Sequence, residues 1–355
     1  MKRLVLLVAA CTTSQASSPA PPLESPVITR IAGTPDVTVT FRAREPVAIE
    51  SQLCGQAPCV DRLLPVGGGI YARELRVRGD LRVTYRIVRD GTPIATAELV
   101  LPDAPPQPWT AVRAGVAHGQ VSELAVAGRT AWVYAPPGHD ARRTYPMLIC
   151  FDGEMFTTEI PAPTILDNLI AARRVPPLVA VFVGQRPAPE RTRELSNNAA
   201  FLAYLTDQLL PAVRARWAAT SDPRQTAVCG ASTGGLASAF AALRRSDVFG
   251  NVISLSGAYW RGDSYDSNER EWLTARYAAT PRLPVRFVVQ VGILERWSTP
   301  GNGPSMLDTN RRLRAVLEQK GYELHYHEVA SGHDPASWRG GLADGLVELF
   351  GISSE

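Results

Sequence analysis

The sequence predicts two folded parts, a small all-β sandwich followed by an α/β domain with a mainly parallel sheet. Three observations predict it. Residues 27–102 alternate apolar and polar side chains with a period of two, as half-buried strands do. After residue 110, near-continuous apolar runs alternate with helical stretches, as strands covered on both faces do. Between one such run and a helix of small residues stands Gly230-Ala231-Ser232-Thr233-Gly234.

In the first part the strand candidates are VTVTFRARE, ELRVRG, LRVTYRIVR and ATAELVL, with turns at Gly33-Thr34-Pro35-Asp36 and Arg89-Asp90-Gly91. So many short strands within about 75 residues read as an immunoglobulin-like sandwich over 27–104. The Pro-rich PDAPPQPW follows as a hinge, and 110–355 is the α/β part. Its strand candidates are RTAWVYAP, YPMLICF, PLVAVFV, QTAVCG, NVISLSG, VRFVVQVG and ELHYHEV. Helices are expected over Ala200–Arg216, where Phe201, Leu202, Leu205, Leu209, Leu210 and Val213 share a face, and over Met306–Lys320, stopped by Gly321.

The chain has 355 residues, 45% apolar and 20% charged, with a net charge of +3. Removal of Lys2 and Arg3 would leave 3 − 2 = +1. That bias is too weak to suggest nucleic acid as a partner. Lys2 and Arg3 precede the short apolar run Leu4–Ala10, and Val8-Ala9-Ala10-Cys11 has the form of a bacterial lipobox. Residues 1–10 are therefore expected to be a signal peptide. Cys11 is the expected lipidation site, and the Ser/Pro-rich 11–26 the tether. The implied location is an exported lipoprotein, membrane-anchored and facing the periplasm. An oxidising compartment would allow a local disulfide between Cys54 and Cys59. Cys150 and Cys229, inside apolar runs, read as buried thiols. No His or further Cys near Cys54 and Cys59 suggests a metal, and no cofactor is expected.

Glycines two residues either side of Ser232, in a strand–turn–helix setting, fit the nucleophile elbow of α/β-hydrolases. The elbow raises the hydroxyl above the sheet at a helix N-terminus, where the N–H of Thr233 can stabilise an oxyanion. A hydroxyl needs a base. Among five histidines, His333 lies in a loop after the last strand, where the order nucleophile, acid, base puts it; His325 and His327 alternate within that strand. The acid belongs after the penultimate strand, which selects Glu295 over Asp308 and Asp263. The second oxyanion donor is expected after the third strand, at the N–H of Gly153 or Glu154.

From about residue 128 onward the chain resembles bacterial enterochelin (enterobactin) esterases and their esterase-D-like relatives. The matching segments are WVYAPPG, FDGEMF, RTREL at 191–195, GASTGGLAS, SLSGAYW and GHDPASWRGGLADGL. The resemblance implies the triad Ser232, Glu295 and His333, an oxyanion loop at Asp152-Gly153, an N-terminal β-domain, and hydrolysis of the trilactone of ferric catecholate siderophores. Such a substrate is anionic and aromatic. Arg191, Arg193, Trp260, Arg296 and Trp338, in loops near the catalytic end, are the candidates to bind it.

Two other readings use the same residues. One is a carboxylesterase for feruloyl, acetyl or other acyl esters, since fold does not fix substrate. The other is a lipid-anchored siderophore-binding protein with little turnover, against which the complete triad argues. In each case the partners are a small molecule and, through the lipid, a membrane.

Overall fold

The computed structural model describes residues 23–54 and 59–352. The lipobox residues 8–11 therefore lie outside the described residues. Eight strands form the N-terminal part: β1 (Leu23–Arg30), β2 (Asp36–Ala43), β3 (Ala48–Ser51), β4 (Cys59–Arg62), β5 (Leu64–Gly67), β6 (Ile70–Arg78), β7 (Arg82–Arg89) and β8 (Thr92–Val100). They make two antiparallel four-stranded sheets, ordered β1-β2-β6-β5 and β4-β3-β7-β8. Alternation does the work: Val37, Val39, Phe41, Val83, Tyr85 and Ile87 point inward into a shared core. Strand β1 takes in residues 23–26 of the stretch expected to be tether. Its register slips between Glu24 and Val27, around Pro26, and an edge strand tolerates a residue without an N–H. Cys54 and Cys59 are joined in a disulfide beside the β3–β4 pairing.

The second part is an eight-stranded sheet. It comprises β9 (Gln120–Val126), β10 (Arg129–Ala135), β11 (Met147–Phe151), β12 (Val179–Val183), β13 (Thr226–Ala231), β14 (Asn251–Leu255), β15 (Arg286–Gly292) and, after the short ribbon β16 (Ser298–Thr299) and β17 (Gly303–Ser305), β18 (Glu323–Val329). The order is β18-β15-β14-β13-β11-β12-β10-β9, parallel from β18 to β12, with β10 and β9 antiparallel. This is the α/β-hydrolase architecture. Every residue of β11, β12, β13 and β14 is buried, because helices cover both faces. A fully buried Val, Leu, Ile or Phe is worth about 1.5–3 kcal/mol, so these continuous apolar runs fix the centre of the domain.

The helices are α1 (Gly153–Thr157), α2 (Ala162–Ala171), α3 (Glu190–Leu195), α4 (Ala199–Tyr204), α5 (Leu210–Trp217), α6 (Thr233–Arg244), α7 (Trp272–Ala279), α8 (Met306–Gln319) and α9 (Pro335–Phe350). The helix expected near 200–216 is α4 and α5 joined through a π turn at Leu205–Leu209. The wider turn comes just before Pro211, which has no N–H to continue the ladder.

The two parts meet along the loops at the C-terminal ends of β15 and β18. Leu294 and Ala330 pack against the sandwich core. Arg339 of α9 binds Glu98 and Gln107. Among the described residues no helix is long and apolar enough to cross a membrane.

Candidate active site

Ser232 sits between β13 and α6 with φ 58° and ψ −120°, a conformation that costs a non-glycine residue about 1–3 kcal/mol. The turn is held because the Ser232 N–H donates to Leu255 and its carbonyl accepts from Ala258. It also requires glycines. A Cβ on Gly230 would come within 2.4 Å of the Gly234 backbone, and one on Gly235 within 2.7 Å of Ser254 Oγ. The first helical bond of α6 runs from Leu236 to Ser232. The N–H of Thr233 therefore has no acceptor within the helix and faces the nucleophile's end of the axis.

His333 and Glu295 are brought together at the same end of the sheet. His333 Nδ1 lies 2.7 Å from Glu295 Oε2. Glu295 is fully buried, which a carboxylate tolerates only when its oxygens are bonded. The other oxygen accepts from Ser256 Oγ at 2.5 Å and from the Gly292 N–H at 2.8 Å. The competing carboxylates are engaged or distant: Asp308 closes a capping box with Ser305, and Asp263 is exposed. The other histidines have separate partners where partners are seen. His118 meets Asp167, His139 the Trp217 carbonyl, and His327 meets Glu348.

On the opposite side, Asp152 takes a left-handed turn (φ 57°) at the end of β11, and Gly153 opens α1. Phe156 makes the first helical bond, to Asp152, so the N–H groups of Gly153 and Glu154 have no acceptor within the helix. A Cβ on Gly153 would press to 2.8 Å of the Phe182 backbone, which is why glycine stands there. The Glu154 side chain turns away and accepts from the Gln185 N–H.

Two of the five candidate substrate contacts need correction. Arg191 clasps the buried Asp152 with two hydrogen bonds of 2.5 Å. A carboxylate buried at that turn needs a counter-charge, and this guanidinium supplies it and holds the turn before Gly153. Trp338 is buried. Its Nε1–H donates to Ser256 Oγ at 3.0 Å, and its ring stands edge-on to His333 at 4.9 Å. It packs behind the Glu295–His333 pair. The other three stay available. Arg193 is exposed and lies over the Tyr265 ring at 5.0 Å. Arg296 is exposed, with one bond to the Ile293 carbonyl. Trp260, stacked with Arg261, lines a cleft of about 920 Å³. The Arg261 Nε there is buried without a partner, a basic group that sequence position alone did not single out from its neighbours.

A second cleft, of about 680 Å³, opens between the two parts and reaches His333; Glu50, Gln52, Thr84 and Arg86 of the sandwich line it. Among the described residues no cluster of three or more His, Cys, Asp or Glu is arranged to hold a metal.

This geometry has relatives. The Esterase family model matches residues 126–349, which spans the elbow, Glu295 and His333. The chain belongs to the Esterase family. Iron(III) enterobactin esterase of Escherichia coli (strain K12) is 31% identical over 264 residues, covering 72% of this chain and 63% of that protein. The chain thus spans less than two thirds of the length of that relative. The enterobactin esterase of Shigella flexneri, crystallised in the presence of enterobactin, superposes with a TM-score of 0.76 at 23% identity, covering 92% of this chain and 95% of that one. A ferulic acid esterase from Anaeromyces mucronatus reaches 0.54 at 18% identity, covering 69% of this chain and 96% of that one. The first structure shares the sandwich as well as the hydrolase fold; the second is similar over a smaller share of this chain.

Residues beyond the sequence-derived set also shape the site. Ser256 bridges Glu295 and Trp338, and Gln52 touches the His333 backbone. Ser256 follows an apolar strand like many serines, and Gln52 lies 281 residues from its partner. No local pattern announces either.

Proposed function

We propose that this Esterase-family chain is a serine carboxylic ester hydrolase acting on ferric catecholate siderophores of the enterobactin type, with Ser232, His333 and Glu295 as its triad. The observation that carries the reading is the buried Glu295 held 2.7 Å from His333 Nδ1, at the sheet end where the strained turn presents Ser232. In this scheme Ser232 Oγ attacks the ester carbonyl and His333 accepts its proton. The negative carbonyl oxygen lies between the N–H groups of Thr233 and Gly153 or Glu154. Collapse releases the alcohol, which takes its proton from His333, and water then hydrolyses the acyl-Ser232 by the same steps. Glu295 fixes the imidazole tautomer and stabilises the imidazolium.

The substrate assignment draws on the activity of the enterobactin esterases that the chain resembles and on the basic, aromatic cleft at Trp260 and Arg261. The test is product analysis with ferric enterobactin and with feruloyl and acetyl sugars, beside the Ser232→Ala variant. Release of dihydroxybenzoyl-serine products by the wild type alone supports the proposal. Cleavage of the sugar esters only would replace the substrate. Tight siderophore binding without turnover by the wild type would replace the activity.

We also infer export and anchoring through Cys11, on the order of charge, apolar run, small residues and cysteine at the N-terminus. Cys11→Ala is expected to move the protein from the membrane fraction to the soluble periplasm. An unmodified Cys11 in mature protein, seen by mass spectrometry, would overturn the inference.

A further inference from the structure

The loop that carries His333 is held mainly by the other part of the molecule. The Arg82 N–H donates to the Ala330 carbonyl, and Ser331 Oγ–H donates to the Arg82 carbonyl. Asp334 accepts from both the N–H and the hydroxyl of Thr84. Between them, Gln52 grips His333 itself. Its Oε1 accepts from the His333 N–H at 2.6 Å, and its Nε2–H donates to the His333 carbonyl at 3.1 Å. A backbone N–H only donates and a carbonyl only accepts, so the amide has one orientation that satisfies both. The side chain therefore fixes the peptide on each side of the His333 Cα, as a neighbouring strand would. The same approach constrains the preceding residue. A Cβ on Gly332 would lie 2.3 Å from Gln52 Oε1 and 2.7 Å from its Cδ. Gly332 has no positive φ to explain it; the close approach of the Gln52 amide does.

We propose that Gln52, supplied by the sandwich, is a positioning residue for His333, and that Gly332 is glycine to admit it. The proposal rests on His333 being the base of the reaction above. It makes the sandwich a contributor to turnover of every ester, whatever its size or charge.

The test uses the full chain and the neutral ester p-nitrophenyl butyrate. Gln52→Met keeps the volume and removes both hydrogen bonds. It is expected to lower kcat by about 10- to 100-fold, the scale of a small misplacement of a catalytic group, with KM changed less than about twofold. Gly332→Ala, which displaces the amide, is expected to do the same. Gln52→Glu, which keeps one acceptor for the His333 N–H, is expected to fall between Gln52→Met and wild type. On a His333→Ala background Gln52→Met should cost nothing further, because Gln52 acts through the ring. Wild-type kcat in both Gln52→Met and Gly332→Ala overturns the proposal. So does an equal loss with and without His333, which would mean a general structural role. Ser232→Ala and His333→Ala separate this from the parent reading. If they stay active, the triad is wrong; if they are inactive while Gln52→Met is normal, only the positioning role is wrong.

Discussion

At the scale of single residues, the site depends on two buried carboxylates with different tasks. Glu295 has three hydrogen-bond partners, and one of them is His333, the proposed base. Glu295→Gln keeps the shape but presents the wrong partner to Nδ1–H. Turnover is expected to fall by about 10²- to 10⁴-fold, less than for Ser232→Ala, with KM little changed; steady-state kinetics on a soluble ester reads it. Near-wild-type turnover would return the role to another acid or to none. Asp152 belongs to the other class. Arg191→Met leaves it buried without its counter-ion, an effect of about 3 kcal/mol for a well-buried pair and less where, as here, the arginine is partly exposed. The expected result is a lower Tm together with lower kcat, since the oxyanion turn loosens. A kcat loss restricted to anionic substrates, at unchanged Tm, would instead restore Arg191 as a substrate contact.

At the scale of elements, the strand–turn–helix units were legible because one local rule generated each. Continuous apolar runs marked β11 to β15, and glycine spacing marked the elbow between β13 and α6. Gly230→Ala is accordingly expected to prevent folding or lower Tm by many degrees, because the new Cβ meets backbone that has nowhere to move; circular dichroism melts would show it. The final strand and helix carry a pH-dependent pair. The His327 Nε2–H on β18 donates to Glu348 on α9, and this bond raises the imidazole pKa above its ordinary value, while burial raises that of nearby Asp344. The folded state thus binds protons more tightly than the unfolded chain. The stabilisation from His327 is fully present below about pH 6.5 and is lost as pH rises through the folded value. His327→Ala should flatten the fall in Tm between mildly acidic and alkaline pH. An unchanged slope would show the pair to be idle. What stayed illegible in the sequence lay in partners brought from other elements. Arg191 lies on α3, in a segment that position alone assigned to substrate, and only its contact with Asp152 reveals the other role. Position likewise makes Trp338 a candidate to bind substrate, and only its bond to Ser256 shows it buried behind the site.

At the scale of the whole molecule, a separate β-domain fits a larger ligand or a shaped cleft, since sites at domain interfaces suit sizeable ligands. The cleft between the parts agrees with that, yet the sandwich also grips Ala330, Ser331, His333 and Asp334. Sequence separation of about 250 to 280 residues hid those contacts, since no period or motif links a glutamine just after β3 to a loop after β18. The disulfide at the end of β3 closes a short loop next to Gln52, worth about 2 kcal/mol by loop entropy. Cys54→Ser with Cys59→Ser is expected to reduce stability by that amount and to bring activity loss and sandwich melting to the same lower temperature. Retained activity above the melt would separate the sandwich from catalysis.

The cysteines have a consequence for biogenesis. Beyond Cys11 the chain has four, and four thiols allow three ways to form two bridges. The native molecule uses one bridge and leaves Cys150 and Cys229 reduced side by side on β11 and β13. Burial raises the Cys150 thiol well above its ordinary pKa, so once folded it offers little thiolate to an oxidant. Before folding it has no such shelter. Cys54 and Cys59 are five residues apart and precede Cys150 by 150 − 59 = 91 residues and Cys229 by 229 − 59 = 170, so a chain exported as proposed above, entering an oxidising space N-terminus first, can close the correct loop before the competing thiols arrive. Under the export proposed above, direction of delivery, as much as affinity, selects the right bridge. Refolding the complete reduced chain from denaturant under oxidising conditions discards that order, and is expected to yield a larger share of mispaired, inactive molecules than secretion does.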